Sequence, residues 1–338
     1  MKRPTASTLA LAGFAFALTL TTIAHGQTTE PAGVTEHTAL ATKAAKTDLL
    51  GALGLCKTAT PEPAPAFMDT YKAMLQKPPL ESMQVMDELY FLGNYWTSAW
   101  AVKTSDGIVI IDALDNADEA KHYIEGGLRK LDLDPADIKY VIVSHAHGDH
   151  YGGANYLKQQ FGAHVVMSEV DWKTFEDPSF DPKRIPLFDP PPTRDIAVND
   201  GDTVKLGDTT FKLYLIPGHT LGTLATVFTV HDHGAPHRAV EWGGTAYNFG
   251  PLPDRLQIYA DTTKKYQDIL KQEKADVLLS NHVGFDSAVS KMATLKEGKA
   301  GSNPFVVGTD TVQRFLTVLG ECALATKAYV EAGQPGKK

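Results

Sequence analysis

Side chains that can bind metal ions are concentrated in one short stretch of the sequence. His145, His147, Asp149 and His150 lie within six residues, in the spacing H-x-H-x-D-H. They cannot all point in one direction from a helix or a strand, so we expect a tight loop around a common point, with Gly148 supplying the backbone freedom. The step from His145 to His147 suits one ion, while Asp149 and His150 can turn toward a second.

Two further histidines stand where predicted strands end. The apolar run Val141–Val143 predicts a buried strand that leads into the ligand stretch. A second strand ends at Pro217-Gly218-His219-Thr220, and a third ends at Asn281-His282. We therefore expect His219 and His282 to join the same metal site. Nitrogen and oxygen ligands without sulfur favour zinc, with manganese or iron as alternatives.

Other histidines have simpler interpretations. His164 lies inside a strand pattern, so we expect a structural role for it. His231, Asp232, His233 and His237 fall in the tip of a predicted hairpin, where a solvated turn is the expected structure and a separate metal site is the alternative.

The amino end has the pattern of a secretory signal peptide. Basic residues Lys2 and Arg3 precede a mostly apolar run and a small-residue site near Gly26. We expect residues 1–26 to be removed and the protein to be periplasmic or secreted; a retained membrane anchor is the alternative. No later stretch could cross a bilayer.

The charge of the chain argues against nucleic acid as a partner. The sequence has 32 basic and 40 acidic residues, a formal charge of −8, which becomes −10 without Lys2 and Arg3. An acidic surface repels phosphate backbones, whereas a small-molecule substrate remains compatible with it.

Only two cysteines occur, Cys56 and Cys322. Export would permit a disulfide between them. The alternative is two buried thiols, because Cys322 lies on an apolar helical face with Val312, Phe315 and Leu319.

The pattern of elements changes at residue 83. Residues 27–82 predict a helical appendage, with a helix from Thr38 to Cys56, followed by a proline-rich linker. Residues 83–338 predict the domain that carries the candidate metal ligands, with short strands and helices in two similar halves. Residues 176–194 carry six prolines, which is typical of a disordered segment or of a functional loop.

From these motifs the chain resembles the metallo-β-lactamase superfamily over about residues 83–330. Within it, the order of parts is most similar to the third subclass of class B β-lactamases. That resemblance rests on residues 90–94 (YFLGN), 144–150 (SHAHGDH), 217–220 (PGHT) and 303–306 (NPFV). It implies an α/β (α+β) fold, a four-layer αβ/βα sandwich with the metals at one edge of the paired sheets.

The resemblance also implies a division of the ligands. His145, His147 and His219 would hold one zinc ion, and Asp149, His150 and His282 would hold the other. Two nearby cations lower the pKa of a shared water and polarise the carbonyl that it attacks. Asp149 is the expected catalytic carboxylate, which orients the hydroxide and passes a proton to the leaving group.

The motif alone does not choose the substrate, because superfamily members cleave thioesters, lactones or phosphodiesters. Glyoxalase-like and lactonase-like members carry a metal-bridging aspartate in a Gly-Asp-Thr step, where this chain has Gly243-Gly244-Thr245. Asp254 or Asp261 could substitute for it. The missing aspartate favours a β-lactam hydrolase, with a hydrolase of another ester, lactone or amide second and a non-enzymatic metal-binding or interaction protein third.

The resemblance leaves the substrate-binding residues open. The serine pair with which that subclass holds the substrate carboxylate is not evident. Thr245, Tyr247 and Asn248 are the expected replacements, the alternative being that they pack or cap.

Overall fold

The computed structural model describes residues 30–56, 69, 71–74, 76–181, 183, 185–298 and 301–333. The predicted signal peptide (1–26) and the proline-rich segment 57–68 lie outside the described residues. From Pro31 onward the chain forms one compact unit.

The first half of the chain forms a seven-stranded sheet in sequential order. Its strands are β1 (Met83–Gln84), β2 (Leu89–Phe91), β3 (Trp100–Thr104), β4 (Gly107–Ile111), β5 (Ile138–Ile142), β6 (His164–Ser168) and β7 (Ile196–Val198). β1 to β4 pair antiparallel as a meander, while β4 to β7 pair parallel because helices connect them. The parallel strands therefore all deliver their carboxyl ends to one edge.

The second half forms a five-stranded sheet in the order β12-β11-β10-β9-β8. Its strands are β8 (Thr203–Leu206), β9 (Thr209–Leu215), β10 (Leu224–Asp232), β11 (Ala235–Trp242) and β12 (Val277–Ser280). β11 and β12 pair parallel across a long helical connection, and the other neighbours are antiparallel.

Helices cover the outer faces of both sheets, and two of them pack on the apolar cluster between the sheets. The helices are α1 (Ala32–Ala45), α2 (Leu50–Leu53), α3 (Ala117–Lys130), α4 (Gly148–Tyr151), α5 (Ala154–Phe161), α6 (Glu169–Glu176), α7 (Pro253–Gln272), α8 (Val283–Asp286), α9 (Ala288–Lys296) and α10 (Thr309–Glu331). α3 begins after Asn116, whose side chain caps it by accepting from Glu119 N. It contains a π-helical stretch at Ala120–Glu125 that the apolar spacing does not reveal.

The apolar residues separate into three clusters that define the layers. One lies between the sheets and includes Trp100, Phe211 and Phe228. A second joins the first sheet to helices, with Ile124 and Leu157, and a third joins the second sheet to α1, α7 and α10. Helix, sheet, sheet and helix therefore follow one another, which confirms the predicted four-layer αβ/βα sandwich.

The amino-terminal helices pack on the domain. α1 contacts α10 along its length, and His37 Nδ1 lies 2.7 Å from Glu321 Oε2. The predicted helix from Thr38 to Cys56 is broken after Ala45, where Lys46 takes a positive φ of 49°, and it resumes as α2. Cys56 and Cys322 form a disulfide, which ties the end of this segment to α10. A covalent link that closes so long a loop is worth roughly 2–5 kcal/mol of stability.

The proline-rich segment 176–194 lies beside the ligand stretch. Asn116 Nδ2 donates to Leu187 O at 3.1 Å, and Asp189 N donates to Asp115 O at 3.1 Å. Phe188 packs so closely on Gly148 that a Cβ added there would lie 2.2 Å from its ring. Residues 187–189 of this segment therefore lie beside the ligand stretch, and a function for the loop stays a prediction. Within the described part of the chain, no helix has the length and apolar character needed to span a membrane.

Candidate metal centre

Three chain segments that leave strand ends meet at one edge of the sandwich. The ligand stretch follows β5 of the first sheet, whereas His219 follows β9 and His282 follows β12 of the second sheet. Leu224 N donates to Ser144 O at 2.8 Å, and this bond joins the two sheets beside the site. The ligands therefore come together only when both sheets are assembled.

The first triad consists of His145, His147 and His219. Nε2 of His219 lies 2.9 Å from His145 Nε2 and 3.0 Å from His147 Nδ1, and those two nitrogens are 3.0 Å apart. Three ring nitrogens facing one another cannot all be satisfied by mutual hydrogen bonds. Zinc-bound imidazole nitrogens in a tetrahedral site lie about 3.3 Å apart, so this donor set fits a zinc ion.

The second triad consists of Asp149, His150 and His282. Asp149 Oδ2 lies 3.5 Å from His150 Nε2 and 3.7 Å from His282 Nε2. The triads adjoin each other, since the rings of His145 and His150 are 4.3 Å apart between centroids. The edge thus holds six donor side chains in two neighbouring sets, and both sets fit a divalent cation.

Four of the five imidazoles have a polar atom against the ring nitrogen that faces away from the triads. His219 Nδ1 lies 2.7 Å from Ala246 O, and His282 Nδ1 lies 3.1 Å from Trp96 O. His150 Nδ1 lies 2.8 Å from Asp112 Oδ2, and His145 Nδ1 lies 3.0 Å from Ser144 Oγ. Such partners place the ring proton on Nδ1 and leave Nε2 to bind a metal.

Burial and the neighbouring imidazoles keep several of these rings neutral. Both effects lower the pKa values of His145 and His219 well below the ordinary value. The pKa of His282 falls to about 4, chiefly because of burial and then His150. Burial alone would raise the pKa of Asp149, but His150, His282 and His147 lower it to about 2. His145, His219, His282 and Asp149 therefore present unprotonated donors at neutral pH, the state that binds metal.

Asp112 and Ser144 support the ligands, and we did not predict either from the sequence. Both are fully buried, and Asp112 accepts from Ser144 N at 2.7 Å and from Ser144 Oγ at 2.8 Å while its Oδ2 also faces His150. Asn281 donates to Ser144 Oγ at 3.2 Å and to Gly243 O at 2.6 Å. The signal that could have found Asp112 is its place just after β4, the strand beside β5.

Two additional acids lie close to the second triad. Asp115 is fully buried, and neither of its carboxylate oxygens has a hydrogen-bond partner among the described residues. Glu119 accepts from Asn94 Nδ2 at 3.2 Å, and burial raises its pKa to about 7, with a further contribution from Asp149. Burial, Glu119 and Asp149 all raise the pKa of Asp115. Acidic side chains are therefore concentrated around Asp149, and the raised pKa values of Asp115 and Glu119 favour the protonated, uncharged form of both.

The expected substrate residues lie in different environments. Thr245 is buried beside the first triad, and its hydroxyl has no partner within the described structure. Asn248 is half-buried. Tyr247, in contrast, is 1% exposed, packs on Tyr259 and donates its hydroxyl to Leu319 O. The expectation that Tyr247 holds substrate is therefore corrected: its side chain belongs to the core behind the second sheet, as the alternative of packing stated.

The competing candidates do not join the centre. His231 Nδ1 lies 2.8 Å from Glu88, and His237 Nδ1 lies 2.7 Å from Asp276. His164 contacts Asp195 at 3.3 Å. Asp254 and Asp261 are exposed on α7. In the portion of the chain that the structure covers, the two triads are the only sets of three or more ligand side chains with donor atoms close enough for one ion.

The sequence of this chain is similar to those of known proteins over part of its length. A family model described as the metallo-β-lactamase superfamily matches residues 95–233. Hydroxyacylglutathione hydrolase of Pseudomonas putida is 35% identical over 85 residues, which are 25% of this chain and 26% of that enzyme. The same enzyme of Rhodopseudomonas palustris is 34% identical over 110 residues, 32% of this chain and 34% of that enzyme. The chain thus matches only about a quarter to a third of the length of these curated relatives.

Solved structures match over a larger part of the chain. The subclass B3 metallo-β-lactamase BJP-1 of Bradyrhizobium japonicum is 30% identical, with a TM-score of 0.65, over 75% of this chain and 96% of that protein. The metallo-β-lactamase FEZ-1 of Legionella gormanii is 24% identical, with a TM-score of 0.60, over 76% of this chain and 97% of that protein. At that identity, the second likeness shows the fold alone.

Proposed function

This chain belongs to the metallo-β-lactamase superfamily, and we propose that it is a zinc-dependent hydrolase that opens the amide bond of β-lactams. The observation that carries the proposal is the convergence of six nitrogen and oxygen donors into two adjacent triads. Sulfur-free donor sets of this kind suit zinc. We assign one zinc ion to His145, His147 and His219, and a second to Asp149, His150 and His282.

The chemistry divides between the ions and the protein. Bound zinc supplies an activated water and a positive charge that polarises the substrate carbonyl. Asp149 is ionised at neutral pH because the surrounding imidazoles lower its pKa to about 2. Its Oδ2 faces His150 and His282, so we assign Oδ1 to receive the proton of the attacking water. The proton then passes to the amide nitrogen as the C–N bond breaks and the new C–O bond forms.

The backbone at Gly244 supports the β-lactam assignment. A Cβ at this position would lie 2.7 Å from His219 Cβ and 2.8 Å from Thr223 Cγ2, so the position has no room for the bridging aspartate of glyoxalase-like members. The substrate carboxylate of a β-lactam can then approach the second ion. We assign the unpartnered hydroxyl of Thr245 and the amide of Asn248 to orienting that carboxylate.

A second candidate is hydrolysis of a thioester, lactone or other ester. The similarity to hydroxyacylglutathione hydrolases favours it, although it covers only 85 residues of the first of them. The absence of an aspartate at Gly244 opposes it. A non-enzymatic metal-binding protein is the third candidate, and the full donor set opposes that.

A substrate panel on zinc-replete protein tests these candidates. We expect turnover of nitrocefin and a carbapenem, loss of activity in EDTA and its recovery on addition of zinc. Hydroxyacylglutathione and an acyl lactone serve as comparison substrates. Faster turnover of either one than of both β-lactams would support the second candidate, and no turnover in metal-loaded protein would support the third.

We also propose that the protein acts in the periplasm or outside the cell, where hydrolysis of β-lactams would confer antibiotic resistance. The disulfide between Cys56 and Cys322 supports this location, because such bonds persist in oxidising compartments. Fractionation of cells that express the full chain tests it, together with the amino-terminal sequence of the product, which should begin near residue 27.

A further inference from the structure

The loop that carries His219 (residues 217–222, the His219 loop) is held from two sides by helices. Gly218 adopts a φ of +155° and packs on Tyr259 of α7, where a Cβ would lie 2.4 Å from the ring. Thr262 of α7 donates its hydroxyl to Pro217 O at 2.7 Å. The loop therefore takes its conformation from its neighbours as well as from its own sequence.

Asp171 of α6 connects this loop to the other two ligands of the first triad. Its Oδ2 accepts from Ala146 N at 2.9 Å and from Thr220 Oγ1 at 2.7 Å, and its Oδ1 accepts from Gly222 N at 3.0 Å. Ala146 lies between His145 and His147 in the sequence. One carboxylate, 1% exposed, thus bridges the two loops that supply the triad.

Arg255 of α7 holds the carbonyl side of the same loop. Its Nε donates to Gly218 O at 2.6 Å, and its Nη2 donates to His219 O at 3.2 Å. The guanidinium group also stacks on Phe249 at 5.2 Å. The loop is therefore bound by an anion through its donors and by a cation through its acceptors, and hydrogen bonds to charged groups are the stronger kind.

We propose that Asp171 and Arg255 form a clamp that fixes the His219 loop against the His145–His147 loop, and that this clamp sets the metal affinity of the first triad. Both are positioning residues, since they act through the backbone and not on substrate. The inference rests on the metal site of the proposed function but not on its β-lactam substrate. Changing residues that orient metal ligands lowers metal affinity by about 10- to 100-fold.

The test compares metal binding by wild type, Asp171→Asn, Arg255→Gln and Thr220→Val. Asp195→Asn is the matched control, because Asp195 also bridges elements, accepting from Val165 N at 3.1 Å and from Lys158 at 3.0 Å at the opposite end of β6. Zinc affinity is measured for each bound equivalent by chelator competition. The d–d spectrum of the cobalt-substituted protein reports ligand geometry, and melting of the metal-free protein reports stability.

We expect Asp171→Asn and Arg255→Gln to weaken one metal equivalent by about 10- to 100-fold and to alter the cobalt spectrum, with the other equivalent unchanged. Thr220→Val removes the hydroxyl that contacts Asp171 and Thr223 but leaves the bonds of Asp171 to Ala146 and Gly222, so it should have a smaller effect in the same direction. Asp195→Asn should change neither equivalent. If Asp171→Asn does not fold, Arg255→Gln and Thr220→Val decide the matter.

Wild-type affinity for both equivalents in the folded variants would overturn the clamp, as would equal weakening in Asp195→Asn. The proposed function fails separately, because wild-type protein that binds both metal ions but cleaves no β-lactam would leave the clamp standing.

Discussion

The two triads are built from the same kind of strand-end segment, yet they differ in charge and in what supports them. The first has three imidazoles, and Asp171 and Arg255 hold its loops through backbone groups. The second contains Asp149 and has two more buried acids beside it, Asp115 and Glu119. The first site is thus organised mainly by geometry, whereas the second also lies in a cluster of buried acids that repel one another's charge.

Asp149→Asn should have the largest effect on this difference, because it removes the only anionic ligand of either triad. We expect turnover of the proposed substrate to fall by about 10²- to 10⁴-fold, since the variant also lacks the proton acceptor. Binding of one metal equivalent should weaken while the His145, His147 and His219 site keeps its ion. Steady-state kinetics together with zinc content check this, and wild-type turnover in the variant would refute the role of Asp149.

Glu119→Gln tests whether the buried acids beside the second triad affect stability. The pKa of Glu119 is raised from 4.5 to about 7, so the folded protein holds a proton that the unfolded chain releases between those values. In metal-free protein this acid therefore costs stability as the pH rises from about 4.5 to 7, by up to about 3 kcal/mol. We expect the stability of Glu119→Gln relative to wild type to increase over that window in urea unfolding. If the free energies of unfolding of the two proteins change with pH in the same way, the assignment of a raised pKa to Glu119 is wrong.

Tyr247→Phe should have the smallest effect, although Tyr247 lies close in sequence to Ala246, whose carbonyl contacts His219. Its hydroxyl donates to Leu319 O in the core, so its loss should lower the free energy of unfolding by about 1 kcal/mol. The KM for substrate should not change, whereas Thr245→Val should raise it. A raised KM in Tyr247→Phe would return this residue to the substrate site.

The fold and the donor set could be predicted because short stretches of the sequence indicate them. Short apolar runs that end in His145, His219 and His282 reveal both a strand and the point where it ends. β5 belongs to the first sheet and β9 and β12 to the second, so these strand ends meet because the two sheets pack together at this edge. The spacing H-x-H-x-D-H adds the four neighbouring donors.

The supporting residues could not be predicted, because they act over long separations and have no motif. Asp171 bonds to Ala146 and Thr220 only because α6 packs between their loops, and nothing in its own sequence neighbourhood indicates this role. The sequence also failed to show that the side chain of Tyr247 lies in the core and not in the substrate site. A polar residue near a ligand can point either way, and the direction depends on which sheet face is buried.

The disulfide makes the domain a covalent ring. Cys56 and Cys322 are 266 positions apart, so almost every loop of both halves lies inside the closed circle. A protease that cuts one peptide bond between them would leave two fragments that still migrate as a single molecule until a reductant is added. The half that carries the H-x-H-x-D-H stretch could then be severed from the half that carries His282 without either one diffusing away.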